Sequence, residues 1–315
     1  FLITFFWVLG IHGPAIMGPV IRPIWDMAIA ENMDAFAAGA AATKTAIDWE
    51  SAFAGVRKTV DGTEEDFQKL SSGIREMSKE LPSSASDIAK VAESAGQLGI
   101  QTDNILGFTR TIIDLGNSTN LVGEQGASSL AKFANITKMS QKDFDRLGST
   151  IVALGNNSAT TEADIVEMAM KLAGAGTQVG MTEAQILSLS AALSSVGIEA
   201  EAGGSAFSKV MINMQLAVET GNNSLKDFAS IAGMTTSEFS KAFKEDATGA
   251  LTSFIQGLSN AEEQGSSAIK VLDDMGITEV RLRDSLLRAS SASDLFNDTI
   301  TLGTQAWEEN TALAN

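Results

Sequence analysis

Apolar residues recur every three or four positions along most of this chain, and this period constrains the fold more than any other feature. The clearest stretch joins Phe67, Leu70, Ile74, Met77 and Leu81 into one stripe of an amphipathic helix. Stretches with the same period begin at Ile88, Phe144, Ile165, Ile186 and Phe207. No sustained alternation of period two competes with them. The sequence therefore predicts an all-α protein, a multi-helix array of short to medium amphipathic helices.

Helix ends are marked by two kinds of local signal. Thr63 and Asp66 are spaced as a capping pair, and the helix that follows should end before Pro82. A recurring turn of glycine, an apolar residue and threonine should join later helices, because glycine closes one helix in the left-handed conformation and threonine caps the next. Its copies are Gly99-Ile-Gln-Thr102, Gly180-Met-Thr182, Gly233-Met-Thr235 and Gly276-Ile-Thr278. Their spacing is unequal, so we expect helical hairpins of varied length rather than a strict solenoid.

Other small-residue segments are predicted to be loops, and none fits a catalytic motif. Gly174, Gly176 and Gly180 lack the preceding strand and the Gly-Lys-Ser/Thr sequence of a phosphate loop. Gly203-Gly204-Ser205 lacks the strand and the histidine of a nucleophile elbow, so Ser205 is interpreted as a helix N-cap after a loop. Asn156-Asn157 and Gly221-Asn222-Asn223 mark further loops.

Composition excludes several classes of chemistry. The formal net charge is −17, which argues against direct nucleic-acid binding. There is no cysteine, and His12 is the single histidine, so disulfides, thiolate catalysis and paired-histidine zinc sites are excluded. We expect no cofactor, no metal site and no enzymatic activity.

Acidic and methionine clusters have structural interpretations. Glu64, Glu65 and Asp66, like Asp273 and Asp274, are interpreted as helix-terminal or surface carboxylates rather than as acid/base or calcium sites. The methionines at 168, 170, 211 and 214 are expected to pack on apolar helix faces.

The first 25 residues have a different, membrane-type composition. They hold three of the four prolines and two of the four tryptophans, and their only formal charge is Arg22. The apolar run from Phe1 ends near Ile11, short of the roughly 20 residues of a spanning helix, so it reads as a truncated hydrophobic segment. No basic residue precedes it, so we do not expect a signal peptide, whereas a buried hairpin of a soluble protein remains an alternative. A compositional break between Gly39 and Thr43 predicts two domains, 1–39 and 40–315.

From Thr43 onward the chain resembles the core region of phage tail tape-measure proteins. The resemblance begins with TKTAIDWESAFAGVRKTVDGTEEDFQKL and continues through an Ala-Gly-Gln-Leu-Gly segment at 95–99. It includes a Gly-Val turn at Gly55 and Val56, and it returns in LVGEQGASSLAKFANITKMSQKDF and GMTEAQILSLSAALSSVGIEAEAGGSAFSKVM. The resemblance implies a non-enzymatic structural protein that sets tail length, takes part in tail assembly and leaves ahead of the DNA at infection.

This resemblance also implies partners and a location. The partners would be tail-tube subunits, tail-assembly chaperones and further copies of the chain. The location would be the virion tail, and the host cytoplasm during assembly. The family's proteins are far longer than 315 residues, so the chain would be a fragment of such a protein.

Residues 1–39 resemble a different family, the lactose/cellobiose-type sugar permease subunit of the phosphotransferase system. The resemblance rests on FFWVLGIHGPAIMGPVIRPIW followed by AENMDAFAAG, and it implies a sugar-binding role for His12. The family's Asn-Glu-Pro segment is missing, which argues against transport. A natural fusion, a prophage inserted into a permease gene and an error in joining sequence would each explain the junction.

Two further functions remain open on the sequence alone. One is a remnant membrane transport component with a helical extension, which would contact a membrane through residues 1–30. The other is a soluble helical adhesin or toxin-like module. Small residues such as Gly174, Gly176, Gly203 and Gly204 permit close helix contact, so we also expect that the helical region touches a bilayer during ejection.

Overall fold

The chain divides into two units, Phe1–Ala54 and Gly55–Asn315. A computed structural model describes residues 29–30, 44–121, 123–263 and 267–313. In the first unit, residues 44–54 belong to helix α1 (44–59), where the rings of Trp49 and Phe53 stack with centroids 5.2 Å apart. The compositional break between residues 39 and 43 falls outside the described residues, so the predicted domain boundary stays a prediction.

The second unit is a helical array, and its described residues contain no strand. This confirms the all-α prediction for that part of the chain. A short 3₁₀ turn, Thr102–Asn104, precedes α4. The helices are α2 (Glu64–Glu80), α3 (Ala85–Gln97), α4 (Ile105–Ser118), α5 (Gly123–Thr137), α6 (Phe144–Asn157), α7 (Glu162–Gln178), α8 (Glu183–Ser195), α9 (Ala200–Thr220), α10 (Asn223–Ile231), α11 (Thr236–Glu245), α12 (Ala247–Glu263), α13 (Ala268–Asp274), α14 (Val280–Ser290) and α15 (Ser293–Glu309).

The first predicted cap is present in full. The Asp66 amide donates to the Thr63 hydroxyl at 3.3 Å, and the Thr63 amide donates to the Asp66 carboxylate at 2.9 Å. This reciprocal pair satisfies two amides that the first helical turn leaves without partners. At the other end, α2 stops at Glu80 and Leu81 is extended before Pro82, as predicted.

The glycine turns are confirmed, although only two of the four threonines cap a helix. All four glycines have positive φ, and the following amide donates to the carbonyl five residues earlier, as Met181 does to Gly176 at 2.9 Å. Thr182 and Thr235 each form a capping box with the residue three positions on. The predicted caps Thr102 and Thr278 are wrong, because α4 and α14 begin later, after Asn104 and Glu279.

Several glycines that were predicted to form loops lie inside helices instead. Gly174 and Gly176 belong to α7, and Gly203, Gly204 and Ser205 belong to α9, so Ser205 is not an N-cap. A Cβ on Gly203 would overlap Ile198, and one on Gly204 would overlap Lys171. These glycines are therefore required by close contact with neighbouring side chains. Gly55 and Val56 are likewise helical, within α1, rather than a turn.

Most helices pack on their neighbours in the chain, and the last helix is the exception. From α2 to α9, each helix packs mainly on the helices one or two places before or after it, and α10 to α12 form a further cluster. The last helix, α15, returns to pack on α6 and α8. Helix α8 is buried on all sides, including Ser188 and Ser190, whose hydroxyls donate to the carbonyls of Ala184 and Ile186. It therefore forms the centre of this unit.

Candidate functional site

The one site residue predicted from the sequence, His12, lies outside the described residues. So does almost all of the permease-like stretch 1–39, of which only residues 29–30 are described. The proposed sugar-binding role of His12 therefore stays a prediction.

The acidic cluster at the start of α2 is held by local structural contacts. Glu64 accepts a hydrogen bond from Arg57 at 2.8 Å, and this bond lowers the pKa of its carboxyl group. Glu65 pairs with Lys69 at 3.2 Å. The Thr63 backbone amide lowers the pKa of the Asp66 carboxyl group. The pKa values of Glu64 and Asp66 are thus both lowered, whereas a general acid near neutral pH needs a raised pKa.

The second acidic pair divides between two cations. Asp273 accepts a hydrogen bond from Arg283 at 2.8 Å, and Asp274 pairs with Lys270 one helical turn earlier at 2.7 Å. The two carboxylates therefore serve as ion-pair partners at the surface. Across the ranges that the structure describes, no group of three His, Cys, Asp or Glu side chains has the arrangement of a metal site.

The methionines pack as predicted. Met168, Met211 and Met214 are buried on the inner faces of α7 and α9, and Met170 is half-buried. The thioether of Met168 lies against Gly203, where α9 comes close to α7.

A cleft of about 750 Å³ is the candidate site that brings together the most charged side chains. It lies between α4, the turn before α6, the start of α6 and the segment after α15. Its charged lining residues are Asp103, Arg110, Asp114, Lys142 and Asp145.

Several charged side chains of this cleft form ion pairs or hydrogen bonds. Arg110 contacts Glu80 at 2.7 Å and Asp114 at 3.7 Å. Burial raises the pKa of the Asp114 carboxyl group, and the charge of Arg110 opposes that rise. Asp145 accepts a hydrogen bond from the Asn310 side chain at 2.7 Å. The cleft thus joins distant segments, and it contains no histidine, cysteine or hydroxyl nucleophile paired with a base.

The sequence indicated only part of this cleft. Arg110 and Asp114 are four residues apart on a helix, which predicts an ion pair. Glu80 belongs to α2 and Asn310 follows the end of α15, and their approach depends on tertiary packing that no local pattern encodes.

A second cleft, of about 550 Å³, has no charged lining residue. Hydroxyl and amide side chains line it, among them Ser230, Thr252, Gln256, Asn260 and Asn297. Gly257 closes one wall, because α12 touches the last turn of α10 there and a Cβ would overlap the carbonyl oxygen of Ile231. This cleft offers hydrogen bonds but no acid, base or cation.

No helix within the described part of the chain is both long enough and apolar enough to span a bilayer.

Comparison with known proteins gives one match. The sequence model of a family described as phage-related minor tail protein matches residues 71–275, which is more than half of the chain and extends from α2 into the residue after α13. No curated protein and no solved structure matches the chain. The match supports the phage tail resemblance, and nothing in these comparisons supports the resemblance to a sugar permease.

Proposed function

The chain belongs to the family of phage-related minor tail proteins, and on this premise we propose that it is part of a tape-measure protein, which sets the length of the tail. Membership of the family fits a structural, non-enzymatic role in the virion tail. Length determination is the more specific step, and it rests on the resemblance of residues 40–315 to the tape-measure core.

The observation that carries this proposal is the helical array itself, matched by the family over residues 71–275. Helix-forming segments follow one another with short turns, so the chain has a defined rise of about 1.5 Å per residue wherever it is extended as helix. The candidate acidic residues are engaged in caps and ion pairs, which is the use that a structural protein makes of them.

The partners that this function requires are tail-tube subunits, tail-assembly chaperones and further copies of the chain. In this proposal the protein is assembled in the host cytoplasm, stays within the tail and leaves ahead of the genome at infection. The net charge of −17 supports contacts with proteins rather than with the DNA that follows.

An in-frame duplication tests length determination directly. Duplicating residues 64–178 in the phage that encodes the chain adds about 115 residues, and in this proposal the packed helices of the array extend end to end inside the tail, where that number of helical residues spans about 170 Å. We expect tails longer by about that amount in electron micrographs of purified particles.

The control is Gly174→Ala, which changes a residue of the duplicated region without changing its length. Tails of this variant should have the parental length. Tails of parental length in the duplication phage, with the enlarged protein present in the particles, would rule out length determination and leave a structural tail role intact.

A further inference from the structure

One face of α12 lines the cleft of about 550 Å³, which we call the neutral cleft. The residues of this face recur every three or four positions and therefore lie on one side of the helix. They are Gly249, Thr252, Ser253, Gln256, Gly257 and Asn260. The buried apolar residues of α12, such as Leu251, Phe254 and Leu258, lie on its opposite side. Helix α12 thus has an apolar face towards the core and a second face, without charge, towards the cleft.

The other walls of the neutral cleft continue the same chemistry. Ser230 comes from the last turn of α10 and Asn297 from α15, and both are exposed. Every polar side chain that lines the cleft is a hydroxyl or a carboxamide, a group that both donates and accepts hydrogen bonds. The exposed face of α14, in contrast, holds Arg281, Asp284 and Arg288. The lining of the cleft therefore differs from the charged surface of its neighbours.

Hydrogen bonds within α12 leave both donors and acceptors available to a ligand. The hydroxyls of Thr252 and Ser253 donate to carbonyls one turn earlier, at 2.9 Å and 2.8 Å, so their oxygens can still accept. The side-chain amide of Gln256 donates to the side-chain oxygen of Asn260 at 3.3 Å. This bond leaves the Oε1 atom of Gln256 as an acceptor and the Nδ2 atom of Asn260 as a donor.

We propose that the neutral cleft binds a short, uncharged oligosaccharide. Sugar hydroxyls both donate and accept, as the lining groups do, and the C–H faces of sugar rings fit the aliphatic walls at Ile231 and Val271. The volume of about 550 Å³ lies within the roughly 300–1,000 Å³ of small-molecule sites. This binding does not depend on whether the chain sets tail length.

The lining argues against other classes of ligand. A phosphate, a carboxylate or an amine would lose water in the cleft without finding an opposite charge there. A peptide is recognised through a strand edge, an apolar groove or aromatic side chains. The walls of the neutral cleft are helices with short polar and aliphatic side chains, which provide none of these.

Saturation-transfer NMR of the full chain with maltotriose and with tri-N-acetylchitotriose tests the proposal. Hydrogen bonds to neutral groups replace bonds to water, so each adds little net affinity. We therefore expect a dissociation constant on the order of 1 mM for at least one of the two trisaccharides. The proposal is overturned if neither of them binds at about ten times that concentration.

Asn297→Ala and Gln305→Ala form a matched pair that locates the bound sugar. Both variants remove an exposed carboxamide from α15, but Asn297 lines the cleft, whereas Gln305 pairs with Glu309 at 2.7 Å. Asn297→Ala should raise the dissociation constant about fivefold, and Gln305→Ala should leave it within about twofold. Equal constants for the two variants would place the sugar elsewhere and contradict the proposal.

The double variant Gln256→Ala/Asn260→Ala removes both members of the amide pair on α12. Neither amide is then left without the other, and alanine favours the helix, so the variant should fold. Its circular dichroism spectrum checks the fold. We expect the dissociation constant to rise by about tenfold or more. A folded double variant that binds the trisaccharide as tightly as the unmodified chain would also overturn the proposal.

Discussion

At the residue scale, the fold depends on positions that take the left-handed backbone conformation. Gly99, Gly180, Gly233 and Gly276 were recognisable because glycine is the usual residue at such helix ends. Gly197 and Lys138 close helices in the same way, with φ of 72° and 60°. Lys138 carried no sequence signal, because the left-handed conformation is sterically unfavourable for lysine and is therefore not expected there.

Lys138 and Gly180 should therefore respond in opposite directions to substitution. Lys138→Gly should raise the free energy of unfolding by about 0.5 kcal/mol, since the relief of left-handed strain exceeds the entropy that glycine adds to the unfolded chain. Gly180→Ala should lower it by about 1 kcal/mol. Urea unfolding followed by circular dichroism measures both changes, and a loss of stability in Lys138→Gly would contradict this view of the turn.

The carboxylates of the capping boxes predict a dependence of stability on pH. The backbone amide of Thr235 lowers the pKa of the Glu238 carboxyl group, and that of Thr63 lowers the pKa of Asp66. A carboxyl group whose pKa is lower in the folded than in the unfolded protein stabilises the fold at pH values above its unfolded-state pKa. This stabilisation is lost as the pH falls through the folded-state pKa.

Glu238→Gln isolates one of these contributions. Glutamine keeps the capping box, as Gln185 does with Thr182, but it does not titrate. We expect the variant to lose less stability than the unmodified chain as the pH falls below about 4.5. Identical pH profiles of the thermal midpoint would show that the Glu238 carboxylate contributes nothing to acid unfolding.

At the element scale, the apolar period and the capping signals predicted where the helices lie, but they did not predict which glycines lie inside them. The ends of α2 follow from Thr63 and Pro82, which act locally. Gly203 and Gly204 suggested a break, because glycine lowers helix propensity by about 1 kcal/mol. In the structure both are buried in α9 against side chains that a Cβ would overlap. Tertiary packing overrides the local preference there, and no single-helix pattern reveals it.

Two helical glycines offer a matched comparison of these effects. Gly257→Ala should lower the free energy of unfolding by about 3 kcal/mol, because the new methyl group overlaps the Ile231 carbonyl and α10 must shift away from α12. Gly174→Ala places the same methyl group on an exposed turn of α7 with nothing within 4 Å, and should add about 0.5–1 kcal/mol. Equal effects in thermal unfolding would mean that helix propensity alone governs both sites.

At the scale of the whole molecule, the sequence predicted an array of helices but not its arrangement. The apolar stretch that begins at Ile186 predicted one buried stripe on α8. The structure buries both faces because α15 returns to cover α8 from the far end of the chain. The cleft around Arg110 was not predicted for a related reason, since Asn310 reaches it from beyond the end of α15 and Arg110 pairs with Glu80 of α2.

Helix α15 should therefore be required for a cooperative fold. A chain ending after Ser290 should bind the dye ANS and unfold over a broad temperature range, because the surface of α8 is then exposed to water. A chain ending after Glu309 keeps α15 and loses only the residues that follow it, so it should unfold cooperatively. Sharp unfolding of the shorter chain, without ANS binding, would contradict the central position of α8.

The structural role in the tail rests on the match to a phage-related minor tail protein family. It is tested most directly by mass spectrometry of tails separated from the heads of purified particles. We expect peptides from residues 55–315 in the tail fraction, in a fixed ratio to the tail-tube subunit, and none in isolated heads. Their absence from purified tails would contradict a structural role in the virion.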